Sequence, residues 1–256
     1  MLVDATVVKI GGRELDDERW VGQLTELLVA RARPLVLVHG GGQEISEVQR
    51  ALGAEPEWRD GLRVTTPAAL RATAMALSGT VNKRIVSALI GAGVEAVGIS
   101  GEDAGLFRAR PAQGGALGRT GEIVEVQPRV IEVLAADGFM PVVSPVSRGA
   151  DGGPLNVNAD EAAAALAVAI GAREILFISN VSGVRSGSTA LPYLSRENAH
   201  KLIARGEADG GMIPKLRAAS RAAAGGVTSV RIGDLDLLRT ASAGTRMIPG
   251  ESSAAA

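Results

Sequence analysis

The run VVKIGG, Val7–Gly12, places a lysine near the end of a short β-branched stretch with two glycines directly behind it. Glycine accepts positive φ and lets backbone N–H groups come close to an anion, so the turn suits a charged ligand. No GxxxxGK loop followed by Ser or Thr occurs in the chain to claim the lysine. As a fold signal, a continuous apolar run of this length belongs to a strand buried on both faces of a parallel sheet. Runs of the same kind recur at Ala5–Lys9, Pro34–Val38, Val94–Ile99, Met140–Ser144, Glu174–Ile178 and Thr228–Ile232.

Segments of helical periodicity separate these runs. Asp16–Ala32 carries Trp20, Leu24, Leu27 and Leu28 on one stripe, and Pro67–Gly91 predicts one continuous helix of about seven turns. Strand and helix alternate, which predicts an α/β fold: an open, mostly parallel sheet with helices on both faces, an α/β/α sandwich of two lobes. The predicted lobes are 1–171 and 172–256, divided near Gly171 where an alanine-rich helix ends. Glu57–Thr65, Leu106–Val126 and Val146–Asn158 interrupt the rhythm and read as hairpins or small ribbons projecting from the sheet. The closing ESSAAA, Glu251–Ala256, reads as an unordered tail.

The composition excludes several classes. With 27 basic and 28 acidic residues the formal charge is −1, which provides no field for nucleic acid or anionic lipid. No apolar run approaches the ~20 residues of a membrane span, and no secretory or transit signal is legible, so a cytoplasmic location is expected. Zero cysteines exclude disulfides and thiolate metal sites, and His39 and His200 are too few for a histidine-built zinc site.

In open α/β sheets ligands lie at the carboxyl ends of the strands, and three glycine-bearing turns fall there. KIGG follows the first strand, HGGG (His39–Gly42) the second, and SNVSGV (Ser179–Val184) the strand at Glu174–Ile178. HGGG is not a GxGxxG dinucleotide fingerprint. Lys9 in apolar surroundings needs an anionic partner, which a structural carboxylate would also satisfy. Lys215, in GGMIPK, stands where a helix begins and on its own reads as exposed. NVNAD, Asn156–Asp160, precedes the helix Glu161–Ile170, so Asp160 is either an N-cap or a carboxylate that holds lysines. GLRVT, Gly61–Thr65, offers Arg63, either a solvated hairpin charge or a two-pronged grip on a carboxylate.

Taken together over nearly the whole chain, KIGG, HGGG, GLRVT, NVNAD, SNVSGV and GGMIPK resemble the amino acid kinase family, and within it the members that phosphorylate free N-acetyl-L-glutamate. The resemblance implies transfer of a phosphoryl group from MgATP to the side-chain carboxylate of N-acetyl-L-glutamate, in arginine biosynthesis, with Mg2+ held through the ATP phosphates. It implies that Lys9 and Lys215 neutralise the transferring group from opposite sides while Asp160 orients both. Gly41 and Gly42 would offer N–H groups near the substrate, Arg63 would grip its α-carboxylate, and Asn156 would hold it in place. On the nucleotide side it implies Gly11, Gly12, the loop Asn180, Val181, Ser182, Gly183, Val184 and Arg185, and a second contact at Glu207, Ala208 and Asp209.

The chain departs from many relatives at Asn180 and from some at Gly210, where they carry Asp, and both positions are expected on the nucleotide side. The early first strand and the ending DLDLLRTASAGTRM imply a homodimer that arginine does not inhibit, pairing through Pro67–Gly91. Two other readings stand beside this one: a kinase for carrier-protein-linked aminoadipate or glutamate in lysine biosynthesis, and a non-catalytic amino acid sensor on the same fold. Relatives of the first kind replace the third glycine of HGGG with Ser. A sensor would have lost a lysine or the aspartate.

Overall fold

All six apolar runs become strands of one eight-stranded sheet in the computed structural model, which describes residues 1–248 apart from Arg13, Arg33 and Asp60. The tail expected to be unordered lies outside the described residues. In chain order the first part comprises β1 (Thr6–Ile10), α1 (Glu18–Val29), β2 (Leu35–His39), α2 (Gly42–Ala51), β3 (Trp58–Arg59), β4 (Leu62–Arg63), α3 (Pro67–Ala74), α4 (Asn82–Gly91) and β5 (Ala96–Ser100). Next come β6 (Phe107–Pro111), β7 (Thr120–Val126), α5 (Arg129–Ala136), β8 (Met140–Ser144), β9 (Val146–Gly149), β10 (Pro154–Val157) and α6 (Ala159–Ile170). The remainder is β11 (Glu174–Ile178), β12 (Arg185–Ser186), β13 (Thr189–Ala190), β14 (Tyr193–Ser195), α7 (Arg196–Ala204), α8 (Met212–Ala224), β15 (Ser229–Gly233), α9 (Asp236–Arg239) and β16 (Thr245–Ile248).

The main sheet has the order β14-β16-β15-β11-β1-β2-β8-β5 and is parallel except where β16 meets β15. From β1 the chain moves to β2 on one side, and it later returns to β11 on the other. Parallel strands leaving in opposite directions open a crevice at their carboxyl ends, here between β1 and β11. Side chains alternate between faces along β1. Val7 joins a core with the alanines of α6 and with α8, whereas Val8 and Ile10 join the opposite core with Leu24, Leu28 and Ile85. Lys9, two residues from Val7, therefore points to the α6 and α8 face.

Three expectations need correction. The stretches Leu106–Val126 and Val146–Asn158 do not project as separate ribbons: β6, β7, β9 and β10 close into a small barrel. Their hairpin partners are joined across the two stretches by the parallel pairs β10–β7 and β6–β9. The helix predicted over Pro67–Gly91 is interrupted between α3 and α4 by a π-helical segment, Met75–Val81. Finally, β14 and β16 extend the sheet where no strand was expected, and both are short. The ribbon at Glu57–Thr65 forms as expected, with Trp58 opposite Arg63. Among the described residues no helix is long and apolar enough to cross a membrane.

Candidate active site

Two joined cavities open at the carboxyl ends of β1, β2 and β11. The larger, about 630 Å³, lies at the β1/β11 crevice between Gly11–Gly12, Ser179–Val181 and Asp209–Met212. The smaller, about 270 Å³, lies on the β2 side under Gly40–Gly42, Arg63 and Asn156. Lys9, Gly12 and Asp160 line both, so the cavities meet at these residues.

The charged centre follows from local structure. Asn158, in extended conformation, caps α6 by accepting from the Asp160 and Glu161 backbone N–H groups at 2.8 and 3.3 Å. The helix is thus capped without Asp160, whose carboxylate is left for other partners. Its Oδ1 accepts from Lys9 Nζ at 2.8 Å and Lys215 Nζ at 3.1 Å. All three residues are buried, Lys9 at 6 %, Asp160 at 5 % and Lys215 at 5 % exposure, which overturns the view of Lys215 as a solvated helix residue. Alanines 162–164 let α6 sit close to β1, and α8 packs against α6, so one carboxylate reaches both ammonium groups.

Burial lowers the Lys9 pKa to about 8, with Asp160 opposing the shift and Lys215 adding to it. Burial alone would raise the Asp160 pKa, but the two lysines outweigh it and hold the carboxyl below its ordinary range. Lys215 also lies 5.9 Å from the centre of the Phe177 ring on β11.

The glycine turns are pressed together. A Cβ built on Gly12 would lie 2.5 Å from the backbone nitrogens of both Gly41 and Gly42, so only glycine permits this approach. Gly41 and Gly42 open α2, where the first N–H groups of a helix have no helical partner and face negative charge favourably. Glu14 flanks the larger cavity beside Gly11.

Arg63 is 4 % exposed and is held from inside: it donates to Gln49 Oε1 at 2.9 Å, the Gly42 carbonyl at 2.9 Å and Ser46 Oγ at 2.8 Å. Trp58 stacks on it at 4.4 Å. Burial and Arg50 lower its pKa to about 10, so it is cationic at neutral pH. Three of its five N–H donors are engaged, and two are left for a ligand. Asn156 donates to Thr65 Oγ1 at 3.1 Å, which itself donates to the Arg63 carbonyl, so Asn156 and Arg63 share one network beside the smaller cavity.

Of the expected nucleotide-side residues, Gly11, Gly12, Asn180, Val181 and Asp209 line the larger cavity; Ser182, Gly183, Val184, Arg185, Glu207 and Ala208 do not. Val184 is core, its N–H bonded to Thr245 Oγ1 at 2.8 Å, and Gly183 packs against the same threonine. Arg185 opens the small hairpin β12–β13, and Glu207 accepts from Ser186 Oγ at 2.6 Å, pinning that hairpin. Gly210 lines the cavity on the nucleotide side as expected, and Ser179, Glu14, Trp58, Gly211 and Met212 line it without having been assigned a role. Ser179 heads the SNVSGV turn and its buried Oγ has no protein partner; the turn itself was the available signal. Glu14 and Trp58 carried none.

Two cations sharing one buried carboxylate between two open cavities is an arrangement that can hold two anions side by side and neutralise charge between them. The profile of the amino acid kinase family matches residues 4–234. An acetylglutamate kinase of Chloroflexus aurantiacus is 47 % identical over 97 % of this chain and 98 % of its own length. One from a Roseiflexus species is 48 % identical over 90 % of this chain and 88 % of its own. Among solved structures, the Streptococcus mutans protein smu.665 superposes with a TM-score of 0.82 at 27 % identity, over 95 % of this chain and 98 % of its own.

Proposed function

The chain belongs to the amino acid kinase family, and on that premise we propose how its joined cavities carry out the reaction. It phosphorylates the side-chain carboxylate of N-acetyl-L-glutamate with ATP, giving an acyl phosphate and ADP, a step of arginine biosynthesis. A carboxylate oxygen attacks the γ-phosphorus as the bond to the ADP oxygen breaks. The nucleophile is already ionised at neutral pH, so no general base is required. What remains is to bring two anions into line and to meet the charge that spreads over the transferring group.

The smaller cavity takes N-acetyl-L-glutamate, with Arg63 on its α-carboxylate, Asn156 beside it and the Gly41 and Gly42 N–H groups towards the reacting end. The larger cavity takes ATP against Gly11, Gly12, Asn180 and Val181. Lys9 and Lys215 reach the transferring phosphoryl from their shared position on Asp160, which fixes both ammonium groups before substrate arrives. Mg2+ would enter on the ATP phosphates; the carboxylates of Glu14 and Asp209 line the same cavity, and oxygen ligands of this kind suit the ion. The lobes 1–171 and 172–256 correspond in this scheme to substrate and nucleotide halves, meeting at β1 and β11.

A homodimer paired through the α3–α4 helix completes the reading, supported by Met75 and Ile90, each more than half exposed on it. Nothing in the site favours carrier-linked aminoadipate, and the presence of Lys9, Lys215 and Asp160 in one cluster disfavours a sensor. The observation that carries the proposal is that cluster at the junction of the cavities. A coupled ADP-release assay with N-acetyl-L-glutamate tests it: turnover that collapses in Lys9→Ala and Lys215→Ala is expected, and equal rates in wild type and both variants overturn the assignment.

A further inference from the structure

His39 and Asn82 have no role in the scheme above, yet both are wholly buried beneath the glycine turn. His39 ends β2, with Nδ1 3.0 Å from the Gly40 carbonyl oxygen and Nε2 3.1 Å from Asn82 Nδ2. The other partners of Asn82 decide where the hydrogens are. Its Nδ2 lies 2.9 Å from the Val142 carbonyl, and its Oδ1 faces the Lys83 ammonium at 3.1 Å. A carbonyl only accepts and an ammonium only donates, so the amide nitrogen is on the side of His39. Val142 at 2.9 Å and His39 Nε2 at 3.1 Å lie nearer this nitrogen than the Ile99 carbonyl at 3.4 Å, so the two amide hydrogens go to them and Nε2 takes the role of acceptor. The single ring proton then sits on Nδ1 and is donated to Gly40.

Burial lowers the His39 pKa to about 4, with Lys83 and Arg84 pushing the same way against the Gly40 hydrogen bond, so the ring is neutral at pH 7. Several features converge on this amide. The π-helical segment Met75–Val81 ends immediately before Asn82. Gly98 leaves room for it, since a Cβ there would lie 1.9 Å from Asn82 Oδ1. Lys83, donating to the Gly98 carbonyl at 2.9 Å, holds the amide oxygen from the other side.

We propose that Asn82 and His39 are positioning residues for phosphoryl transfer: Asn82 fixes the Nδ1–H tautomer of His39, and that N–H holds the Gly40 carbonyl inward so that the Gly41 N–H faces the transferring group. The geometric reason is the planar trans peptide, in which C=O and N–H of one unit point in opposite directions. Anchoring the Gly40 oxygen beneath the turn aims the Gly41 hydrogen outward, towards Gly12 and the cavity junction. The proposal rests on the functional reading above and adds to it a buried pair of side chains that line neither cavity.

The test has a spectroscopic and a kinetic arm. In a His200→Ala background His39 is the sole histidine, and long-range 1H–15N correlation of imidazole-labelled protein is expected to show a neutral ring protonated at Nδ1. The kinetic arm compares His39→Asn, whose amide nitrogen falls near the Nδ1 position, with His39→Gln, whose amide reaches only to Nε2. His39→Gln and Asn82→Ala are expected to lose about 10- to 100-fold in kcat with little change in KM for N-acetyl-L-glutamate, less than deletion of an oxyanion donor because the N–H is misaimed rather than absent. His39→Asn should recover most of the loss. A wild type that releases no ADP with N-acetyl-L-glutamate overturns the functional reading. A wild type that turns over while its His39 ring carries the proton on Nε2, or while His39→Gln matches it in kcat, overturns the positioning role alone.

Discussion

Asp160→Asn keeps the shape of the side chain and one oxygen for hydrogen bonding, but removes the charge that Lys9 and Lys215 share at 2.8 and 3.1 Å. With a Lys9 pKa of about 8, the intact site holds that proton at pH 7 by only about one unit, roughly 1 kcal/mol. A carboxylate at such range supplies about 4 kcal/mol of attraction at an effective dielectric of 20. The attraction lost exceeds the margin, so in the variant Lys9 gives up its proton at neutral pH. This escape limits the stability cost through Lys9 to roughly 1 kcal/mol, while catalysis loses a preorganised cation, which costs about 10²- to 10³-fold in kcat/KM for ATP. Because the defect is a missing proton, acid should restore it. The assay is kcat/KM for ATP, which reports the free enzyme, expressed at each pH as the ratio of variant to wild type so that titration of the substrates cancels. The ratio should climb as the pH falls from 8 to 6. A ratio that is flat with pH, or a variant within fivefold of wild type at pH 7, refutes the reasoning.

In the wild type, kcat/KM for ATP reports the free enzyme and should fall above pH 8 as Lys9 loses its proton, whereas kcat should hold to higher pH because bound phosphates favour the ammonium form; a kcat/KM that stays level past pH 9 contradicts this. Gly12→Ala would drive a methyl into two backbone nitrogens, and a shift of about 1 Å in the turn should lower kcat by about 10²-fold and reduce the melting temperature, both read on the purified variant. Arg63→Lys cannot keep three internal bonds and still offer a fork, so KM for N-acetyl-L-glutamate should rise by about tenfold or more with a smaller change in kcat. Far from the cavities, Glu174 accepts from Arg31 at 2.6 Å and from the buried Arg231 at 3.0 Å. Urea unfolding of Glu174→Gln should show a loss of about 3 kcal/mol, with kcat of the folded variant unchanged.

How much was legible in the sequence divides along physical lines. Six of the eight strands of the main sheet are continuous apolar runs, so composition alone marked them, and each fell within two residues of its expected start. The barrel was not legible because alternation marks a strand without naming its partner: β6 meets β9, and β7 meets β10, only through folding. The two strands at one end of the sheet, β14 and β16, have three and four residues, too few for a periodic signal. In NVNAD both Asn158 and Asp160 are residue types that cap helices. Only the structure shows that Asn158 takes that task, which leaves Asp160 to the lysines. Likewise Gly183 and Val184 look like part of a ligand loop by their place in SNVSGV, but their contacts with Thr245 make them packing residues.

The partition of charge in the site explains why a carboxylate sits where two cations are needed. Lys9 and Lys215 alone would place two positive charges in a buried space before any ligand arrives, and each would tend to shed its proton. With Asp160 between them the cluster carries a net charge of +1 and both lysines have a hydrogen-bonded partner. The carboxylate weakens the pull on phosphate somewhat, but it keeps the ammonium groups charged and aimed while the cavities are empty. Each member comes from a regular element, Lys9 from β1, Asp160 from α6 and Lys215 from α8, so the geometry is set by packing rather than by a loop. The β3–β4 ribbon is built differently. Exposed Trp58 and Gly61 line both cavities from this short hairpin, so one wall of the site is a ribbon with few core contacts of its own, while the charged cluster stands on packed strand and helices.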